Sequence, residues 1–203
     1  NMTFNWFKKI VKDHPKFWET YLTHFDENQD KKKRFVVFDC ETTGLDYKTD
    51  RILSIGAVAI QNNQIIVGDF MEVFLQQDIF NPETVTLNGI LKEGKEEKVV
   101  EAEAIIRFLD FIKDATLVGH HIDFDIEMIN QALDRLNVGK LENQAMDTDV
   151  MYQKLKSLPQ EEQSSLDELC DIYKIKKSDR HTASGDAFIA ALLFLKLKKK
   201  LEI

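Results

Sequence analysis

Residues 35–45 read FVVFDCETTGL, and this stretch decides the fold. It opens on four apolar residues, Phe35 to Phe38, with no polar alternation, which is the pattern of a strand buried on both faces. Asp39 and Glu41 stand two residues apart at its end, and side chains at i and i+2 of a strand leave the same face, so the two carboxylates are neighbours. Like charges beside a buried strand repel each other and lose solvation, a cost that calls for a cation or a shared proton. The alternative is that the strand simply ends there and both groups face water. Thr42, Thr43 and Gly44 follow at once, a turn with hydroxyls, backbone donors and a Gly free to take positive φ.

Outward from this stretch, residues 51–60 (RILSIGAVAI) and 64–75 (QIIVGDFMEVFL) read as two further strands with Asn62-Asn63 as the turn between them, an antiparallel meander. Helical spacing appears over 97–113, where Val100, Ala104, Phe108 and Ile112 share a face, followed by a short apolar segment at 115–119. Further helices are expected at about 124–136, 148–157, 165–173 with Ser164 or Ser165 as cap, and 182–200, the last apolar nearly all round. Strands first and then alternating helices and strands imply an α/β fold with a mixed sheet and helices on its faces. Before it, residues 3–25 carry apolar residues at helical spacing interrupted by Pro15, which predicts two short helices meeting near His14 and Pro15. The polar stretch 26–34 (DENQDKKKR) reads as a linker. The chain therefore divides into a helical N-terminal extension, 1–30, and a main domain, 31–203.

The composition agrees with one globular unit: 203 residues, 43% hydrophobic, with 14 Phe. Disordered and collagen-like chains are excluded. No apolar run approaches the roughly 18–20 residues of a membrane span, so a soluble cytoplasmic protein is expected. Cys40 and Cys170 lie far apart in apolar contexts and are expected as buried free thiols. With 35 acidic against 27 basic residues the net charge is -8, which excludes a protein that grips nucleic acid by a general basic surface. If the substrate is nucleic acid, something else neutralises the phosphates. Lys31 to Arg34 and Lys196 to Lys200 could add a phosphate-tracking surface.

Two more anomalies involve carboxylates. Asp186 sits among Ala183, Ala187, Ile189 and Ala190 on the last, almost wholly apolar helix, where an unpaired charge is costly and demands a partner. His181, five residues earlier, would be about 140° away around a helix and so belongs to the preceding loop. In GHHIDFDIEMIN, 119–130, Asp123 or Asp125 falls in the first turn of a helix, where an acid also complements the dipole. Four carboxylates and a loop His form a set suited to hard divalent cations, Mg²⁺ or Mn²⁺, and the two Cys lack zinc spacing.

Taken together, these segments resemble the three motifs of the DEDDh family of 3′→5′ exonucleases, which includes the proofreading epsilon subunit of bacterial DNA polymerase III and ribonuclease T. The first motif stands as FDCETTGL, 38–45, the second as HHIDFD, 120–125, and the third as HTASGD, 181–186. The second motif fixes Asp125 as the matching acid. TDRILSIGAVAI after the first motif and the pair Asp147-Thr148 before a helix are also family-like.

The resemblance implies a ribonuclease H-like sheet and hydrolysis with two Mg²⁺ or Mn²⁺ ions. Asp39, Glu41, Asp125 and Asp186 would be the metal ligands and His181 the general base. Thr42 and Thr43 would hold the terminal nucleotide and Leu45 would wedge against the bases. His121 stands where the family usually has Asn, and Asn88, in TLNGI, where it often has His; both are expected as substrate-binding positions. The implied substrate is single-stranded DNA at its 3′ end, released as nucleoside 5′-monophosphates in proofreading or repair, with a DNA polymerase subunit as candidate partner. An exoribonuclease or oligoribonuclease acting on RNA is the alternative within the class. An idle nucleic-acid or protein-binding module on the same fold is the alternative outside it.

Overall fold

The computed structural model describes residues 14–26, 33–78 and 97–203. Strands β1 (Arg34–Thr42), β2 (Ile52–Gln61) and β3 (Gln64–Leu75) form the expected antiparallel meander. Its hairpin turn places Asn62 and Asn63 at φ 52° and 60°, a left-handed pair that Asn tolerates and that matches the twist of the flanking strands. Strands β5 (Thr116–Gly119) and β6 (Ala145–Asp147) extend the sheet in parallel from β1, and the two-residue β4 (Lys98–Val99) lies parallel to the end of β3. The sheet order is β4-β3-β2-β1-β5-β6, which puts β1 inside the sheet.

Six helices complete the described chain: α1 (Lys16–Thr23), α2 (Glu101–Ile112), α3 (Ile122–Arg135), α4 (Thr148–Lys156), α5 (Leu166–Tyr173) and α6 (Ala183–Leu201). They occupy both faces of the sheet, and β1 shows why its apolar run does not alternate. Val36, Phe38 and Cys40 enter one core with Ala104 and Phe108 of α2 and Met128 and Ile129 of α3. Phe35 and Val37 enter the other with Met151 of α4, Leu169 of α5 and Ala187 and Phe194 of α6. Helix α1 docks on the first core. Trp18 and Tyr21 are buried there, and the Tyr21 hydroxyl donates to Asn143 Oδ1 (2.6 Å) while accepting the Glu142 N–H (2.8 Å). Burial pushes that phenol up to about 12. The helix expected before Pro15 and most of the 26–34 linker lie outside the described residues.

Two features fix where the functional residues fall. The first is Gly56, the register partner of Asp39 in the β1–β2 pair. The first turn of α6 crosses β2 here so closely that a Cβ on residue 56 would lie 2.2 Å from the Ser184 backbone nitrogen. The second is the start of α3, two residues earlier than the periodicity predicts. The Ile122 N–H is capped by Asp147 Oδ2 (2.8 Å) from the end of β6, so the helix begins directly after His121. Among the described residues no helix is long and apolar enough to cross a membrane.

Candidate active site

Strand β1 delivers Asp39 and Glu41 to its C-terminal end, and α6 delivers Asp186 in its first turn. One oxygen from each of the three carboxylates lies within 4.8 Å of the others. Asp125, buried in the first turn of α3, accepts the Cys40 backbone N–H at 3.1 Å, which ties it to the same end of β1. The strand thus presents two acids by its side chains and holds a third by its backbone.

Crowding these groups out of water has its electrostatic consequence. Burial first, and then the charges of Asp125, Asp186 and Glu41, hold the Asp39 carboxyl well above the usual range, with Arg180 opposing. Burial and Asp186 push Glu41 up to about 7. Burial drives Asp125 to about 8, against the lowering effect of the Cys40 N–H. Cys40 is a free, buried thiol, itself pushed up by burial and by the surrounding acids. A cluster that resists ionisation in this way is short of positive charge, and its donors are all carboxylate oxygens. Hard divalent cations such as Mg²⁺ or Mn²⁺ fit that donor set.

Among the described residues, the cation that meets this cluster is Arg180. Its Nη1 donates to Asp186 Oδ2 (2.5 Å), while Nε and Nη2 fork onto Asp167 in the first turn of α5 (3.0 and 3.2 Å). The next residue, His181, donates its backbone N–H to Asp186 Oδ1 (3.3 Å) and has φ 65°, leaving its ring exposed on the loop before α6. Thr182 then caps the helix by accepting the Gly185 N–H.

A cavity of about 550 Å³ opens beside the acids, lined by Asp39, Glu41, Thr42, Leu45, His121 and Phe124 among others. Leu45 stands on it with 86% of its surface exposed, unusual for an apolar side chain of this size. Thr42 lines the cavity, whereas the Thr43 hydroxyl is buried, donating to Asp50 Oδ1 (2.8 Å) and accepting the Arg51 N–H (3.0 Å). Asn88 lies outside the described residues, as do Lys31 and Lys32. Arg34 is committed to the fold, donating to the Phe111 carbonyl (2.7 Å) and pairing with Asp69. Sequence reasoning missed Gly56, Arg180 and Asp149, because each acts on a residue distant along the chain or through contacts no local pattern encodes.

A six-stranded mixed sheet, helices on both faces and an all-oxygen carboxylate cluster at the end of a central strand define the ribonuclease H-like class. Residues 36–194 match the family RNase_T, described as Exonuclease, and the chain belongs to that family. It is 35% identical over 173 residues to the PolC-type DNA polymerase III of Caldanaerobacter subterraneus, covering 83% of this chain and 12% of that one. It is 34% identical over 172 residues to the DNA polymerase III epsilon subunit of Salmonella typhimurium, covering 80% of this chain and 70% of the subunit. The chain thus spans about an eighth of the PolC-type polymerases that it matches. Among solved structures, E. coli exonuclease I in complex with a dT13 oligonucleotide superposes with a TM-score of 0.71 at 20% identity, over 84% of this chain and 42% of that one. That likeness establishes the shared fold.

Proposed function

We propose that this chain is a metal-dependent 3′→5′ exonuclease that hydrolyses single-stranded DNA ends to nucleoside 5′-monophosphates. The observation that carries the reading is the convergence of Asp39, Glu41 and Asp186, with Asp125 tied to the same strand end, in a member of the exonuclease family. Asp39, Glu41 and Asp186 would hold one divalent ion, and Asp39 with Asp125 a second. When bound, such ions make water a stronger nucleophile and stabilise the leaving 3′ oxygen.

The chain's own groups do the rest. His181, exposed on its loop and fixed through its backbone to Asp186, takes the proton of the attacking water. The new P–O bond forms as the bond from phosphorus to the 3′ oxygen breaks, and that oxygen is reprotonated as the strand leaves. Thr42 on the cavity wall holds the terminal nucleotide, and Leu45 on the same wall wedges between its base and the next one. DNA is the favoured substrate because relatives are DNA polymerase III chains and a structural neighbour holds dT13. The same relatives make a DNA polymerase the candidate partner.

The test is degradation of 5′-labelled single-stranded DNA and RNA of one sequence in Mg²⁺, Mn²⁺ or EDTA, with His181→Ala and Asp186→Ala alongside. The expected result is a metal-dependent ladder shortening from the 3′ end on DNA and lost in both variants. Faster RNA cleavage would move the substrate to RNA, and no cleavage of either would overturn the enzyme reading.

A further inference from the structure

His121 lines the same cavity but is held by a carboxylate outside the acidic cluster. It occupies the N-cap position of α3 at φ 55° and ψ 45°, a left-handed conformation that residues with a Cβ rarely adopt. Its side chain does not cap the helix, a task taken by Asp147. Instead, His121 Nε2 meets Asp149 Oδ2 at 3.0 Å. The Asp149 side chain is only 3% exposed, and its other oxygen accepts the Ser164 N–H (3.0 Å). A buried carboxylate needs a compensating partner, and its ionic partner here is the His121 ring.

The neighbouring ring is fully employed. His120 stacks on His121 with centroids 4.3 Å apart, and its two nitrogens meet Thr148 Oγ1 and the Ser164 carbonyl, each at 2.8 Å. The carbonyl can only accept, so His120 Nε2 carries a proton, while Nδ1 shares the Thr148 hydroxyl with the Gly119 carbonyl, 3.3 Å from it. His120 is thus a fixed platform, with burial and the adjacent His121 driving its pKa down. By contrast, His121 Nδ1 has no partner among the described residues, and nearly half of its side chain is exposed on the cavity. Among the described residues lining that cavity only the two His can carry positive charge, and of these His121 has the ring nitrogen left for a ligand.

We propose that His121, oriented by Asp149, is a phosphate-binding residue that donates from Nδ1 to a non-bridging oxygen of an internucleotide phosphate next to the scissile one. The proposal rests on the exonuclease reading of the same cavity. With Nε2 against Asp149, Nδ1 is the ring nitrogen left to meet an anion, and the buried carboxylate balances the charge of the ring when both nitrogens carry protons. This answers a need specific to an acidic chain. Bound metal ions would serve the scissile phosphate, but the adjacent phosphate enters a cavity lined by the carboxylates of Asp39, Glu41 and Asp125. Asp149 is a positioning residue that acts through His121. Phosphodiesters of DNA and RNA present the same oxygens, so this contact does not distinguish them.

The experiment compares wild type, His121→Ala, Asp149→Asn and the double variant on a single-stranded DNA series. Each strand carries one uncharged methylphosphonate at one of the three linkages nearest the 3′ end. On the unmodified strand His121→Ala is expected to raise KM roughly tenfold with kcat changing far less, since a hydrogen bond to a charged group is lost. At one linkage the methylphosphonate should cost wild type the same factor and leave His121→Ala unaffected. Asp149→Asn should raise KM less, and add nothing to His121→Ala. A His121→Ala penalty that persists at all three linkages, or that appears as a fall in kcat or Tm with KM unchanged, would overturn the proposal. Fluorescence anisotropy of the same strands in Ca²⁺ reads the contact without turnover, so it stays decisive even if the intact protein cleaves nothing.

Discussion

Gly56 and Ser184 are in van der Waals contact through their backbones, leaving no room for a Cβ on residue 56, and this contact sets the position of Asp186 opposite Asp39. Gly56→Ala must therefore lift the first turn of α6 off β2. Overpacking of this kind costs about 1–3 kcal/mol, which in a chain of this size lowers Tm by roughly 2–4 °C per kcal/mol. The larger effect is expected on metal: the Mg²⁺-induced rise in Tm should shrink and hydrolysis should fall by at least about tenfold. Thermal melts with and without Mg²⁺ check this, and an unaltered Mg²⁺ response would separate Gly56 from the site.

The raised carboxyls make a definite prediction about pH. Glu41 at about 7 and Asp125 at about 8 bind protons more tightly in the folded chain than in the unfolded one. Their contribution to stability is complete below about pH 4, the unfolded range, and is lost as pH rises through 7 and 8. In EDTA, Tm should fall between pH 5 and pH 8. Divalent ions compete with those protons, so the Mg²⁺-induced rise in Tm should be larger at pH 8 than at pH 6. Glu41→Gln should raise the metal-free Tm at pH 8 by about 2–4 °C while abolishing hydrolysis. A flat profile in EDTA would contradict the crowding of these acids.

Much of this arrangement is legible in the sequence because it is local. The unalternated run Phe35 to Phe38 signals a strand between two cores, and Ser165 three residues before Glu168 writes out the capping box that opens α5. The two shortest strands are not legible: β4 has two residues and β6 three, too few to show a period. The start of α3 is hidden for a different reason, since its cap comes from Asp147, 25 residues further on. In the site, the acids announce themselves by standing in apolar surroundings. Arg180 and Asp149 do not, because a charged residue in a polar stretch carries no local sign of the carboxylate or imidazole that it meets.

Arg180 joins the carboxylate cluster to α5, and its loss should be felt most when no metal is present. Arg180→Gln leaves Asp186 and Asp167 without their shared cation. Both pairs are partly exposed, so the expected cost is about 1–3 kcal/mol, the scale of charged hydrogen bonds discounted for solvent. Mg²⁺ offsets the same negative charge, and the Tm difference between variant and wild type should narrow in its presence. Arg180→Lys should not restore stability, because an ammonium cannot fork onto Asp167 and still reach Asp186. An equal Tm deficit with and without Mg²⁺ would show that Arg180 acts through packing and not through charge.

Leu45 offers the cleanest separation of substrate handling from stability. At 86% exposure its side chain contributes almost nothing to the core, so Leu45→Ala should change stability by less than about 0.5 kcal/mol. A wedge between bases matters only when there is a neighbouring base to part. The variant should therefore lose roughly three- to tenfold in kcat/KM on a single-stranded oligonucleotide, the loss of one apolar contact. It should match wild type on the p-nitrophenyl ester of thymidine 5′-monophosphate, which has a single base. Equal losses on both substrates would place Leu45 against the terminal nucleotide itself, and no loss on either would leave its exposure without a role in strand handling.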